Sequence, residues 1–173
     1  NNHDMRNQGA LEGALTSRAI DRFKRGGMTR AHVKEAGLRI QLREGVQELF
    51  DLVPNRVVIS YGIEQVIETC LTHHNLEAAI AGTRLRFDEQ DRLIGYEPNV
   101  VVTTTKPVAL DRFQQLTNAT NEQLLVMGDS IGDIHMMRRG ALNVLMFPCA
   151  DQTDVLRAYR QCFFAAFAKS PYS

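Results

Sequence analysis

Several things are scarce in this chain, and each scarcity excludes something. Charge of one sign is absent: Lys plus Arg number 20, Asp plus Glu number 20, and the formal net charge is zero. Without a basic excess there is no electrostatic footprint for nucleic acid. The local cluster DRFKRGGMTR reads as a solvated helix face, so no nucleic-acid partner is expected. Cysteine is sparse: Cys70, Cys149 and Cys162 are odd in number and form no CxxC. They read as free thiols in a reducing, cytoplasmic compartment. No Cys/His group has zinc-ligand spacing, and the adjacent His73 and His74 read as the polar end of a helix. No apolar run reaches the roughly 18 residues that cross a bilayer, so no membrane partner is expected. The start, NNHDMRNQGA, is polar and unlike a signal peptide. It also lacks an initiator methionine, which points to a piece of a longer protein.

What is present is a core. Of 173 residues, 44% are apolar, enough for one domain of ordinary size. The first 40 residues read as short polar helices, LEGALTSRAIDRFKRGG and MTRAHVKEAGLRI, the first ended by Gly26 and Gly27. From residue 43 the pattern sharpens. REGVQELFDLV has helical spacing and stops at Pro54. RVVIS is a short apolar strand, a tight turn at Gly62 follows, and YGIEQVIETCL is a helix with Ile63, Val66, Ile67, Cys70 and Leu71 on one face. LEAAIAGTRLRFD and RLIGYEP read as a strand plus a small hairpin. VVVTTT reads as a further short strand. KPVALDRFQQL begins a helix, with Pro107 suited to its first turn. QLLVMGDS (strand), IGDIHMMRRG (short helix) and LNVLMF (strand) complete the alternation. DQTDVLRAYRQCFFAAFA reads as a closing amphipathic helix whose apolar face packs on the core.

Strands alternating with helices predict an α/β fold: a Rossmann-like parallel sheet with helices on both faces. Ligands of such sheets sit at the carboxyl ends of the strands. Three polar features fall there. Ser60 closes a strand just before Gly62, and a hydroxyl with free N–H groups at a helix N-terminus suits an anion. Taken alone, that pattern is also an ordinary cap. Lys106 follows VVVTTT, within reach of a phosphate; taken alone, it reads as a surface lysine. Asp129 and Asp133 lie four residues apart in GDSIGD, directly after the apolar run LLVM. Two carboxylates near one strand end repel each other unless a cation is near, and their hard oxygens suit Mg²⁺. The competing reading makes Asp129 a helix cap and Asp133 a dipole partner in the first turn. Together the three features form a phosphoryl-transfer layout.

These residues, in this order, resemble the haloacid dehalogenase-like superfamily, mostly phosphatases. Ser60 after VVI resembles its second motif, Lys106 its third, and GDSIGD its fourth. SYGIEQVIE, the hairpin around RFDEQDRLIGYEP and GDSIGD look most like the pyrimidine 5′-nucleotidase branch, with the phosphoserine phosphatases next. The resemblance covers roughly residues 43–148. It implies that Ser60, the N–H groups of Tyr61 and Gly62, and Lys106 hold the phosphate. It further implies that Lys106 also neutralises charge during catalysis and that Asp129 and Asp133 hold Mg²⁺. Residues 1–42 would be the remnant of a helical cap, and residues 43–173 the core. The substrate implied is a small phosphorylated metabolite, with a nucleotide as one candidate.

One departure stands out. The family's nucleophile is an aspartate in a DxDxT-like motif, ending an apolar strand that lies centrally in the sheet. No such motif occurs here: Asp4, Asp21 and Asp51 all lie in polar or helical contexts. The expectation is therefore a phosphatase whose nucleophile comes from a segment outside this sequence. A chain lacking that strand has exposed strand edges and is expected to self-associate through them. The alternative is a degenerate relative that binds a phosphorylated ligand or a protein partner without turnover.

Overall fold

A computed structural model describes residues 2–99 and 101–146. The helix expected in DQTDVLRAYRQCFFAAFA lies outside the described residues, and with it Cys149 and Cys162. The chain begins with α1 (Asn2–Arg25) and α2 (Arg30–Leu38), joined at Gly26–Gly27 as the glycines predict. Gly27 takes the left-handed conformation, φ 71°, that only glycine adopts without cost. Next come α3 (Val46–Leu52), β1 (Val57–Ile63) and α4 (Glu64–His73). β2 (Ala79–Thr83) lies parallel to β1, and β3 (Leu85–Phe87) and β4 (Leu93–Tyr96) form the expected antiparallel hairpin. Then follow α5 (Lys106–Thr117), β5 (Leu125–Gly128), the short α6 (Ile134–Met137) and β6 (Leu142–Leu145), with β5 and β6 parallel.

Two details differ from expectation. VVVTTT is not a strand: residues 101–105 form a buried loop and turn, and Val100 lies outside the described residues. The reason is local satisfaction of its backbone. The Thr105 hydroxyl accepts the Val102 N–H at 2.9 Å, and Glu12 accepts the Thr103 N–H at 2.8 Å. A segment whose donors are already bonded to side chains does not need a strand partner. The second difference is at Gly62, which does not turn into the helix. β1 continues through it to Ile63, with an irregular register against β2 between Ile59 and Ile63.

Two apolar clusters support these elements. One joins Ile20 of α1, Val33 of α2, and Leu85 and Leu93 of the hairpin, with Ile63 and Val66 packed against it. The other joins Leu110, Leu124, Val126, Ile134, Met136 and Met137, with Ile59 packed against it. Hence β1 serves both clusters through Ile59 and Ile63. Cys70 is buried within α4, and burial pushes its thiol pKa up, which keeps it unreactive. His73 and His74 do mark the end of α4, where the His74 ring meets the carbonyl of Ile40 at 3.1 Å.

The parallel strands form two separate pairs, β1–β2 and β5–β6. Among the described residues no strand lies between β1 and β5. Their amino-terminal halves instead flank an apolar cleft of about 600 Å³, lined by Phe50, Val57, Val58, Leu110, Leu125 and Met127 among others.

Candidate active site

At the carboxyl ends of β1 and β5 the same gap is crossed by polar groups. Lys106 opens α5, and Pro107 in its first turn supplies a helical φ without needing an N–H partner. The lysine is only 5% exposed, contrary to the surface reading of it in isolation. Its ammonium lies 2.5 Å from Oδ1 of Asp133, itself 4% exposed. A buried charge needs a partner of opposite sign, and these two satisfy each other.

Asp133 does more than pair with lysine. Its Oδ2 accepts the N–H of Asp129 at 3.2 Å, the N–H of Ser130 at 3.1 Å and the Ser130 hydroxyl at 2.9 Å. The carboxylate therefore folds the GDSIGD loop back on itself. Gly128 permits this: a Cβ there would stand 2.5 Å from Cβ of Asp133. The helix-cap reading of Asp129 is not what the geometry shows, since its own carboxylate is exposed while its backbone is the donor. Asp129 is thus an open carboxylate at the strand end, and Asp133 a buried one with both oxygens engaged.

On the β1 side, Ser60 Oγ accepts the N–H of Gly62 at 3.0 Å, so that hydroxyl is held in place by the next turn of chain. Tyr61 reaches across the gap. Its ring lies 4.2 Å from the Lys106 ammonium, and its hydroxyl lies against Gly132, where any Cβ would collide with it. Tyr61 Oη is 2.6 Å from Thr103 Oγ1. Thr103 donates its own hydroxyl proton to Glu12 Oε1 at 2.7 Å, so Tyr61 is the donor to Thr103. Burial, above all, pushes the Tyr61 pKa up to about 12, with the carboxylates of Glu12 and Asp133 adding to the rise. The phenol stays protonated and can keep donating.

The structure thus brings Ser60, Tyr61, Gly62, Lys106, Asp129 and Asp133 to one end of the strands. Sequence reasoning missed Thr103, Glu12 and Ser130. Ser130 sits inside the quoted motif and was legible as a loop hydroxyl. Thr103 was hidden by the strand reading of VVVTTT, and Glu12 lies 91 residues away on α1 with no local signal. As a metal site, the donor set is partial. Among the described residues no three His, Cys, Asp or Glu side chains converge on one point. An exposed carboxylate backed by a buried one fits Mg²⁺, which takes one or two protein carboxylates and completes its shell with water and phosphate oxygens.

An α/β domain with parallel strand pairs and this constellation at their carboxyl ends has the haloacid dehalogenase-like fold. The chain belongs to the pyrimidine 5′-nucleotidase (UMPH-1) family, whose pattern matches residues 17–145. Solved structures share the fold at low identity. A HAD family hydrolase from Salmonella enterica serovar Typhi superposes with a TM-score of 0.65 at 18% identity, covering 78% of this chain. The chain spans about half of that protein, 49%. A phosphoserine phosphatase in its apo form superposes with a TM-score of 0.64 at 18% identity, over 90% of this chain and 84% of that one. Cytosolic 5′-nucleotidase IIIB bound to cytidine gives 0.54 at 15% identity, over 83% and 61%. No curated protein sequence matches the chain. Among the described residues, no helix is long and apolar enough to cross a membrane.

Proposed function

We propose that this chain forms most of a Mg²⁺-dependent phosphatase domain acting on small phosphomonoesters, with nucleotides as the first class to test. The observation that carries the reading is the buried Lys106–Asp133 pair beside the open carboxylate of Asp129. A fixed positive charge next to a cation-binding carboxylate is what a transferring phosphoryl group requires. Family membership and the likeness to a phosphoserine phosphatase and a cytosolic 5′-nucleotidase support it.

In this reading the nucleophile is an aspartate outside the 173 residues, on a strand that fills the cleft between β1 and β5. Its carboxylate attacks phosphorus, the bond from phosphorus to the ester oxygen breaks, and that oxygen leaves as an alcohol after taking a proton from a neighbouring acid. Water then hydrolyses the aspartyl-phosphate and releases inorganic phosphate. Ser60 and the N–H of Tyr61 bind phosphate oxygens, while Gly62 holds the Ser60 hydroxyl in position. Lys106 balances the charge on nucleophile and phosphoryl group. Asp129 would hold the metal directly, and Asp133 would support it by fixing both the loop and the lysine. Bound Mg²⁺ supplies further charge neutralisation at the phosphoryl oxygens. Residues 1–42 belong to a cap over the substrate, and the protein works in the cytoplasm. With the cleft unfilled, the free edges of β1 and β5 drive self-association.

The test is phosphate release from a panel of phosphomonoesters, with and without Mg²⁺, by this chain and by a form extended upstream in its gene. Turnover by the extended form only, abolished by Asp129→Asn, is the expected result. Mg²⁺ binding without turnover in either form would replace this reading with that of a non-catalytic phosphate-binding module.

A further inference from the structure

We infer that Tyr61 is a positioning residue that fixes the Lys106 ammonium and ties it, through Thr103, to Glu12 on helix α1. The catalytic consequence rests on the phosphatase reading above; the contacts themselves do not.

Three contacts meet at this one side chain: with Lys106, with Thr103 and with Gly132. Its ring face lies 4.2 Å from the lysine ammonium, close enough for an electrostatic attraction between cation and π-cloud. The same ammonium meets Asp133 at 2.5 Å, so ring and carboxylate restrain it from two directions. The tyrosine hydroxyl donates to Thr103, and Thr103 grips both oxygens of Glu12 through its hydroxyl and its N–H. The GDSIGD loop accommodates the ring because residue 132 is glycine.

Besides the packing of Ile20 in the core, three hydrogen-bonding side chains among the described residues anchor helix α1. Glu12 holds Thr103, Ser17 Oγ lies 2.5 Å from the Tyr96 hydroxyl, and Lys24 donates to the Ile94 carbonyl at 3.1 Å. The last two fasten it to the hairpin. Only the first touches the strand ends, and Tyr61 stands between it and Lys106. Seating of α1 and placement of the lysine are therefore coupled through one phenol. Its two halves have separable duties: the ring restrains the lysine, and the hydroxyl carries the link to α1.

The two duties predict different outcomes for two substitutions. Tyr61→Phe keeps the ring and cuts the link. Tyr61→Ala removes both. The first readout is the proton NMR shift of the Lys106 side chain in this chain, which a ring 4.2 Å away moves upfield. That shift should persist in Tyr61→Phe and vanish in Tyr61→Ala. The second is amide hydrogen exchange at Glu12 and its neighbours, which should accelerate in Tyr61→Phe and in Glu12→Gln alike. The third uses the extended, catalytically complete protein. Tyr61→Ala should raise KM for a phosphomonoester by about tenfold, the scale of one partly desolvated cation–π contact, with a smaller change in Tyr61→Phe. A Lys106 shift that survives Tyr61→Ala overturns the inference. So does an unchanged α1 exchange rate in Tyr61→Phe. If both NMR and exchange behave as expected while the extended protein turns over no phosphomonoester, the positioning role stands and the phosphatase reading falls.

Discussion

The gap between β1 and β5 has two ends, and they are closed by opposite means. At the carboxyl end, a chain of charged and hydroxyl groups runs from Glu12 through Thr103, Tyr61 and Lys106 to Asp133. At the amino end lies the apolar cleft, with Leu52 80% exposed nearby and Met127 37% exposed. At the polar end Glu12, Thr103, Tyr61, Lys106 and Asp133 satisfy one another, while the Asp129 carboxylate stays open. The apolar end presents strand flanks and hydrocarbon to whatever enters. Among the described residues the polar groups at the carboxyl end hold one another across the gap, while the space at the amino end stays open. The teaching is that placement of the site residues and completion of the core are separable in this chain.

The largest effect that would break this comparison is expected at the buried pair. Lys106→Met leaves the Asp133 carboxylate buried without its cation, which costs about 3–5 kcal/mol. Urea denaturation should show that loss. The double variant Lys106→Met, Asp133→Asn should recover part of it, because the unpaired buried charge is gone while the amide oxygen still accepts the Asp129 and Ser130 N–H groups. If the single variant is as stable as the parent, the polar end is not what holds β1 and β5 together.

The apolar end should respond the other way. Leu52→Asp alters a side chain 80% exposed beside the cleft and should shift stability by no more than about 0.5 kcal/mol, whereas Met127→Asp, at a side chain only 37% exposed within β5, should cost more. Association should change much more. In sedimentation measurements the parent chain is expected to form oligomers through its free edges, and the double aspartate variant to shift toward monomer. A monomeric parent chain would mean that the cleft is already adequately protected by α3 and α5.

Most of the fold was legible because its signals are local. Glycines ended α1, Pro54 ended α3 and Pro107 began α5, and the hairpin was visible in the residues around EQD. The site was legible in part for the same reason: GDSIGD, Ser60 and Lys106 are each marked by short-range pattern. What failed to show was non-local. The loop at 101–105 looked like a strand because Val and Thr favour strands, and the glutamate that bonds its backbone comes from α1. Burial of Lys106 was invisible because it depends on Asp133, 27 residues later. Tyr61 was expected to offer only its N–H; its ring matters because Gly132, far along the chain, leaves room for it.

The smallest expected effect sharpens the polar end. Tyr61 has its pKa pushed up to about 12, chiefly by burial, from an ordinary value of 10.0. The folded state therefore holds the phenolic proton more tightly than the unfolded chain. Its contribution is complete below pH 10, where both states keep the proton. It declines between pH 10 and 12, as the unfolded chain ionises first and is favoured by doing so. A spectrophotometric titration of the parent should show one tyrosine ionising near pH 12, absent from Tyr61→Phe. The parent should also lose stability more steeply than Tyr61→Phe over that interval, by a modest margin because the side chain is partly exposed. A tyrosine that ionises near 10 instead would mean that the phenol is open to water and that the link from Glu12 to Lys106 is not formed in solution.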